Sequence, residues 1–199
     1  MKTVHGTGQD QPLAKSVRAE TADVDPVVPA IGRDGRLFPA GKMEVHRSGQ
    51  QHLAVSVFVF CGDQLLIQRR AHTKYHCGGL WANTCCTHPH WGENTDACAS
   101  RRLFEEVGLR ADLYACGVVD YRADVGNGLV ENERVHVFRG DVSTALPVLA
   151  YNRAEVQDVA WVSMVELRRQ VAEAPHRFTP WIRIYLSRWS ELALQPVAC

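Results

Sequence analysis

Carboxylates cluster around one predicted helix, from about Thr95 to Val107. Glu93 precedes this helix, and Glu105 and Glu106 lie near its end. Acidic residues on one helical face, preceded by a loop, form a hard-oxygen site suited to magnesium and a diphosphate. The alternative is a solvated helix whose acids pair with the arginines four residues before them. The helix by itself does not decide between these two interpretations.

A second carboxylate pair, Glu131 and Glu133, lies in a segment with strand character. Residues two apart on a strand share a face, so both acids point the same way as Val135 and Val137. Burying two carboxylates on an apolar face is unfavourable unless they bind a metal or one keeps its proton. The alternative is a solvent-facing pair with no chemical role.

Cysteine and histidine occur together at Cys85-Cys86-Thr87-His88, and two further histidines, His46 and His52, precede the first long apolar strand. A Cys-Cys-x-His string alone could be part of a structural zinc site, which would need two more ligands at short spacing. Histidines near a Glu-x-Glu strand and a Cys-x-His loop are better explained as metal ligands. Three imidazoles and two carboxylates are compatible with manganese, magnesium or zinc.

The elements that must position these residues follow from hydrophobic periodicity and turn residues. A hairpin is predicted around Asp34-Gly35, and a strand from His52 to Phe60 turns at Gly62-Asp63 into its partner. Ser163 opens a helix with a capping box, and Pro180 opens a last helix. The remaining predicted elements are a loop over Ala71–Asn94, strands over Val118–Ala123 and Leu129–Phe138, and last-helix residues Trp181, Ile184, Tyr185 and Trp189.

This order of strands, a central helix, more strands and then helices predicts an α+β fold. The 199 residues suffice for one core, and we expect a disordered tail over residues 1–25 followed by a single domain over 26–195. Lys plus Arg and Asp plus Glu are 22 each, which gives no support for a nucleic-acid or anionic-membrane surface. No apolar stretch approaches the ~20 residues of a membrane span, and the N-terminus lacks the pattern of a secretory signal. We therefore expect a cytoplasmic protein, whose seven cysteines are mostly small buried groups.

The helix and its flanks resemble a degenerate Nudix box, which is Gly, five residues, Glu, seven residues, Arg-Glu-apolar-x-Glu-Glu-x-Gly-apolar. The matching residues are Glu93, Arg101, Leu103, Glu105, Glu106, Gly108 and Leu109. Two positions depart from the pattern: Thr87 replaces the opening Gly, and Arg102 replaces the Glu after the first Arg. The resemblance implies a Nudix-like mixed β-sheet between helices, with an N-terminal β-hairpin extension. Arg102 argues against ordinary diphosphate hydrolysis, because a carboxylate ligand of the Nudix hydrolases is lost.

Upstream, Trp81-Ala82-Asn83-Thr84-Cys85-Cys86-Thr87-His88-Pro89 resembles the Trp-x-Asn-x-x-Cys-x-His-Pro signature of type I isopentenyl-diphosphate isomerases. Tyr121-Arg122-Ala123 with Glu131-Asn132-Glu133, and Phe178-Thr179-Pro180-Trp181, resemble two further elements of that family. The resemblance covers roughly Val27 to Trp189. It implies interconversion of isopentenyl and dimethylallyl diphosphate in isoprenoid biosynthesis.

The same resemblance implies roles for individual residues. Cys86 and Glu133 would form the acid–base pair, supported by Tyr121, with Trp181 offering a π face to a tertiary carbocation. Manganese, magnesium or zinc would be held by His46, His52, His88, Glu131 and Glu133, and a diphosphate-bridging magnesium by Glu106. In the family the first two histidines are usually one residue further apart, so the match to the family pattern favours His52 over His46 as a ligand. The substrate would be bound by Lys42, Arg70, Lys74, Arg102 and Cys86.

Two other functions remain open at this point. A Nudix hydrolase would cut a diphosphate, and a non-enzymatic module would hold a structural zinc with Cys85, Cys86, His88 and another cysteine. The expected partner is a small diphosphate, and a monomer and a homodimer are both compatible with the sequence.

Overall fold

The computed structural model describes residues 25–142, 147 and 149–194. The expected tail at 1–25 therefore lies outside the described residues except for Asp25, as does the expected domain end at 195. The described residues form one mixed sheet and four α-helices. The strands are β1 (Val27–Ile31), β2 (Leu37–Gly41), β3 (His52–Cys61), β4 (Gln64–Arg70), β5 (Trp81–Ala82), β6 (Cys85–Thr87), β7 (Leu113–Gly126), β8 (Leu129–Val142) and β9 (Val156–Ser163). The helices are α1 (Lys42–Ser48), α2 (Thr95–Val107), α3 (Met164–Glu173) and α4 (Pro180–Ser187).

Strand β3 lies at the centre of the sheet, with β8 parallel on one side and β6 antiparallel on the other. At its end it turns into β4, which pairs in turn with β5 and β9. Nine of the ten β3 residues are buried, because helices cover both faces of the sheet at this point. The near-continuous run of Val, Ala and Phe in β3 is what a strand covered on both faces requires.

Each face of the sheet has its own apolar core. On one face, α2 packs Cys98, Leu103 and Val107 against β3 and Cys85. On the other face, α3 contributes Leu167 and α4 contributes Trp181, Ile182, Tyr185 and Leu186. The predicted mixed sheet between helices is therefore confirmed.

The N-terminal hairpin is also confirmed. The β1 and β2 strands pair antiparallel around a turn in which Gly35 has φ +79°, a left-handed conformation that favours glycine. Asp34 Oδ1 accepts a hydrogen bond from Arg36 N at 3.1 Å and closes the turn. The hairpin leads directly into α1, which ends at Gly49 with φ +67°.

Several boundaries differ from the sequence prediction. Helix α1 and strand β9 were not predicted, and the loop expected over Ala71–Asn94 contains the short strands β5 and β6. Strands β7 and β8 are longer than expected because they form one continuous two-stranded ladder. Ser163 caps the helix as predicted, since Glu166 N donates to Ser163 Oγ at 3.3 Å. The Glu166 carboxylate pairs with Arg169 and Gln170 instead of completing a capping box. Trp189 belongs to a short 3-10 turn after α4 rather than to the helix itself.

None of the helices in the described part of the chain is long and apolar enough to cross a bilayer.

Candidate active site

The sheet register brings residues that are distant in sequence into one row. His52 on β3 lies opposite Glu133 on β8, and Glu133 lies opposite Tyr121 on β7. On the other side of β3, Ser56 lies opposite Cys86 on β6. Because side chains two apart share a face, Glu131 and His88 point to the same side of the sheet as Glu133 and Cys86.

Eleven of the thirteen predicted site residues line a single pocket on this face, below α4 and beside α1. They are Lys42, Arg70, Lys74, Cys86, His88, Arg102, Glu106, Tyr121, Glu131, Glu133 and Trp181. The other two, His46 and His52, are completely buried beneath the pocket floor.

Four of the predicted metal ligands form one compact group. The ligand atoms of His46, His52, His88 and Glu131 all lie within 4.8 Å of one another. His46 Nε2 lies 3.1 Å from Glu131 Oε2, and His52 Nε2 lies 3.2 Å from His88 Nε2. The fifth, Glu133, lies beside the group, with Oε1 at 2.8 Å from His88 Nε2. His46 therefore joins the cluster despite its shorter spacing from His52.

Backbone contacts fix the tautomers of two of these imidazoles. His46 Nδ1 donates to Lys42 O at 2.6 Å, and His52 Nδ1 donates to Gln50 O at 2.8 Å. With the proton on Nδ1, each Nε2 presents a lone pair toward the cluster, which is the usual second-shell arrangement of metal-binding histidines. His46 Nε2 and Glu131 Oε2 are buried and, although close, are not aligned for a hydrogen bond. These converging lone pairs fit a divalent cation.

Burial favours the neutral form of two of the cluster imidazoles, His52 and His88. It lowers the pKa of His52 to about 4 and the pKa of His88 well below its usual value. Burial opposes ionisation of Glu131, but contacts from His46 and His76 outweigh it and hold the pKa of this carboxyl well below its usual range. Neutral imidazoles and an ionised carboxylate are the protonation states that a metal ligand requires.

Glu133 is in a different environment from Glu131. Its pKa is raised well above the usual value by burial and by the neighbouring Glu131 carboxylate. Tyr121 donates a hydrogen bond of 2.6 Å to Glu133 Oε2. Paired carboxyls with opposite shifts can divide their roles, one as ligand and one as proton carrier.

Cys86 lies in the wall of the same pocket, partly buried. Its thiol donates to Asn83 Oδ1 at 2.9 Å, and its sulfur lies 3.0 Å from Ser56 Oγ. Burial raises the pKa of Cys86, so the protein without ligands holds it as a thiol.

Four cationic side chains line the pocket. Burial and the neighbouring Lys74 ammonium lower the pKa of Lys42 from 10.5 to about 8. Lys74 Nζ lies 2.5 Å from Glu155 Oε2, and the Arg102 guanidinium lies 3.4 Å from the other oxygen of Glu155. Arg70 lies over the Trp181 ring at 5.2 Å, and its Nε is buried without a partner. Such a concentration of positive charge suits a doubly phosphorylated ligand.

The acids in and just before α2, Glu93, Glu105 and Glu106, do not form the hard-oxygen cluster that was one interpretation of the sequence. Glu93 pairs with Arg101 at 2.7 Å, and Glu105, largely exposed, pairs with Arg101 and Arg102. Glu106 alone faces the pocket, where Gln68 donates to one oxygen at 2.9 Å and Arg102 to the other at 2.7 Å. Glu93 and Glu105 are therefore ion-paired, as the alternative interpretation expected, although only Glu105 is exposed to solvent.

The alternative of a structural zinc module does not agree with the structure. Cys85 packs with Cys98 in the core under α2, whereas Cys86 and His88 face the opposite side of the sheet. Within the described residues, the group of metal-ligand type contains no cysteine.

Three residues that line the pocket, His76, Tyr75 and Glu155, were not predicted from the sequence. His76 Nε2 lies 2.8 Å from Glu131 Oε1, although the contact is too bent for a strong hydrogen bond. Tyr75 lies beneath the Lys42 ammonium, and Glu155 separates Lys74 from Arg102. His76 and Tyr75 lie in the segment predicted as a loop, where periodicity gives no signal about side-chain direction.

Comparisons with known proteins agree with this geometry. The model of the Nudix domain family matches residues 50–182. An isopentenyl-diphosphate Delta-isomerase of Cereibacter sphaeroides is 52% identical over 159 residues, covering 79% of this chain and 89% of that protein. A protein of the same name from Dinoroseobacter shibae is 53% identical over 167 residues, covering 83% and 94%.

Solved structures support the fold alone. A crystal structure of a Deinococcus radiodurans protein has a TM-score of 0.65 at 11% identity, covering 81% of this chain and 98% of that one. A MutT protein from Methanosarcina mazei has a TM-score of 0.56 at 16% identity, covering 71% and 94%.

Proposed function

This chain belongs to the Nudix family and, within it, to the isopentenyl-diphosphate Delta-isomerases, and we propose that it interconverts isopentenyl and dimethylallyl diphosphate with Cys86 and Glu133 as its acid–base pair. The observation that carries the assignment is the meeting of these two groups in one pocket that is also lined by four cations. A thiol and a Tyr-supported carboxyl are unnecessary for hydrolysis of a diphosphate but suit the movement of a proton between carbons.

The reaction moves a double bond by one carbon. A proton adds to the terminal alkene carbon, a tertiary carbocation forms, and a proton leaves the neighbouring carbon. An unactivated alkene is a poor base, so the acid must be held in contact with it. In this proposal Cys86 and Glu133 serve the two proton transfers, and Tyr121 orients the Glu133 carboxyl through their 2.6 Å hydrogen bond.

Trp181 and the cationic side chains have separate tasks. The face of Trp181 stabilises a neighbouring cation by up to ~2 kcal/mol where water is excluded. Lys42, Arg70, Lys74 and Arg102 bind the diphosphate, which anchors the substrate without reacting. Burial of the pocket walls keeps water from trapping the carbocation as an alcohol.

The metal set in this proposal is His46, His52, His88, Glu131 and Glu133. A divalent cation bound there would neutralise the Glu131 carboxylate and set the acidity of its neighbours. Glu106, already engaged by Gln68 and Arg102, would hold a second, magnesium ion only together with oxygens of the diphosphate.

The test is turnover of isopentenyl diphosphate in D2O with magnesium and manganese. The wild type should incorporate deuterium into dimethylallyl diphosphate, and both Cys86→Ala and Glu133→Gln should lower kcat by at least roughly 1000-fold. Cys98→Ala is the matched control, because it removes a buried thiol on the other face of the sheet.

Two other results of this experiment would contradict parts of the proposal. Release of monophosphate or inorganic phosphate without isomerisation would show a Nudix hydrolase. Full activity of both variants would leave the isomerase standing and refute the assigned pair.

A further inference from the structure

A short chain of polar groups runs from Cys86 into the apolar core. Ser56 is the one hydroxyl in the run from Ala54 to Phe60 of β3 and is 1% exposed. Its Oγ lies 3.0 Å from Cys86 Sγ and donates a hydrogen bond of 2.8 Å to Tyr185 Oη. Tyr185 is also 1% exposed and comes from α4, 129 residues away in sequence. Buried side-chain hydroxyls are nearly always hydrogen-bonded, and here the partners are one another and the Cys86 sulfur.

The second partner of the Cys86 sulfur, Asn83, is an acceptor whose orientation is fixed. The side-chain amide of Asn83 donates to Val57 O at 3.0 Å and to Cys85 O at 3.1 Å. These two bonds fix the orientation of the amide, so its Oδ1 must face Cys86 Sγ at 2.9 Å. Asn83 can therefore accept a hydrogen bond from the Cys86 thiol, but its amide group cannot turn to donate one to the sulfur.

The hydrogen bonds around the Cys86 sulfur can rearrange in only one way when the thiol loses its proton. A serine hydroxyl has a single proton, and here that proton is directed to Tyr185. In this arrangement Ser56 Oγ and Asn83 Oδ1 both face the sulfur as acceptors, which suits a thiol and disfavours a thiolate. Because Asn83 is fixed, only the Ser56 hydroxyl can turn to donate to the sulfur after the thiol proton has left.

We propose that Ser56 and Tyr185 are positioning residues for Cys86: the Ser56 hydroxyl donates to Tyr185 while the sulfur carries its proton and rotates to donate to the sulfur when it does not. This inference rests on the proposed function of Cys86. When the S–H bond breaks, the proton moves to a substrate carbon, and the electron pair stays on sulfur, where it accepts the Ser56 hydrogen bond. When the sulfur takes a proton back, the hydroxyl returns to Tyr185.

The first test uses steady-state kinetics of isopentenyl diphosphate isomerisation. Ser56→Ala should lower kcat by roughly 10- to 100-fold, the range of a hydrogen bond to a charged group, with KM changed by no more than about threefold. Ser56→Thr, which keeps the hydroxyl, should recover most of kcat. Tyr185→Phe should lower kcat by a smaller factor, because the hydroxyl then lacks one of its two acceptors.

A double-mutant cycle separates this role from simple packing. Tyr185→Phe should have no further effect on kcat in the Ser56→Ala background, because Tyr185 acts only through Ser56. The S–H stretching band of Cys86, identified in the infrared spectrum by its loss in Cys86→Ala, should move in both Ser56→Ala and Tyr185→Phe. Ser163→Ala and Tyr114→Phe are the matched controls, since each removes a hydroxyl far from the pocket.

The outcomes distinguish this inference from the proposed function. A kcat of Ser56→Ala within twofold of the wild type, an additive double variant, or an unmoved S–H band in both single variants would refute the rotating hydroxyl while leaving the isomerase intact. Absence of isomerisation by the wild type would instead refute the proposed function. Should Ser56→Ala not fold, Tyr185→Phe and Ser56→Thr carry the test.

Discussion

Replacing Lys42 with methionine should stabilise the protein while weakening substrate binding. The Lys42 ammonium is nearly enclosed between α1 and the pocket, and its pKa falls from 10.5 to about 8 because of burial, followed by repulsion from Lys74. Arg102 and Arg70 act in the same direction, and only Glu131 opposes them. The pocket thus holds a charge that the fold disfavours, and a diphosphate bound beside Lys42 would relieve it.

The size of the effect follows from linkage. A decrease of about 2.5 pH units in the pKa corresponds to roughly 3 kcal/mol of destabilisation by the charged form. Loss of the contact between Lys42 and the Tyr75 ring removes about 1 kcal/mol, so the free energy of unfolding should rise by roughly 2 kcal/mol at pH 7. The folded state binds fewer protons than the unfolded state between pH 8 and 10.5, so the stability of the wild type rises with pH in this window. The advantage of Lys42→Met should therefore be complete below pH 8 and be lost by about pH 10.5.

The measurement is urea unfolding of both proteins at pH 7 and pH 10, with chelator present to match the metal-free state. Lys74→Met is the matched control, because Lys74 is ion-paired with Glu155 and its removal should not stabilise the protein. A Lys42→Met protein less stable than the wild type at pH 7, or an advantage unchanged at pH 10, would refute the reasoning. Unchanged KM for isopentenyl diphosphate would separately remove Lys42 from the diphosphate site.

Three further outcomes are expected. Tyr121→Phe should lower kcat by roughly 10- to 100-fold with little change in KM, because it removes the 2.6 Å hydrogen bond to buried Glu133, and steady-state kinetics that show no loss would exclude Tyr121 from the proton transfers. Chelation should lower the melting temperature by several degrees, because metal loss leaves converging lone pairs buried, and His46→Ala should abolish most of this difference in a thermal scan. Glu93→Gln should reduce stability by about 1 kcal/mol or less and leave kcat unchanged, since the contacts of Glu93 are with Arg101 and His90 N, outside the pocket. A large loss of kcat in Glu93→Gln would show that Glu93 contributes to the active site after all.

Local sequence patterns predicted those elements in which the apolar periodicity and the terminal capping or turn residues indicate the same structure. Strand β3, helix α2 and the N-cap at Ser163 are of this kind. Helix α1 was missed because seven residues are too few for periodicity to show, and such a helix depends on packing for its stability. His46 could therefore be proposed as a metal ligand by resemblance, whereas its Nδ1 contact with Lys42 O required the structure.

The site was predictable in its residue types but not in its contacts. Cys86, His88, Glu131 and Glu133 occur in short motifs, so resemblance alone brought them together. The partners that tune them come from distant segments, as when Tyr185 reaches Ser56 from α4. No local pattern encodes which strand lies opposite which, so the row from His52 through Glu133 to Tyr121 could not be derived from the sequence.

His46 reaches the proposed metal cluster from helix α1, whereas His52 and Glu131 reach it from strands and His88 follows strand β6 directly. Changes in chain length therefore act differently on His46 than on the other three. One residue removed from a strand turns every later side chain to the opposite face. The turn at Gly49 joins a helix to a strand, so it can shorten without reversing a face. This explains how a spacing one residue shorter than the usual family spacing still places His46 in the cluster. A library of single-residue deletions should accordingly retain active members at positions 47–51 and lose them throughout 53–59 and 132–137.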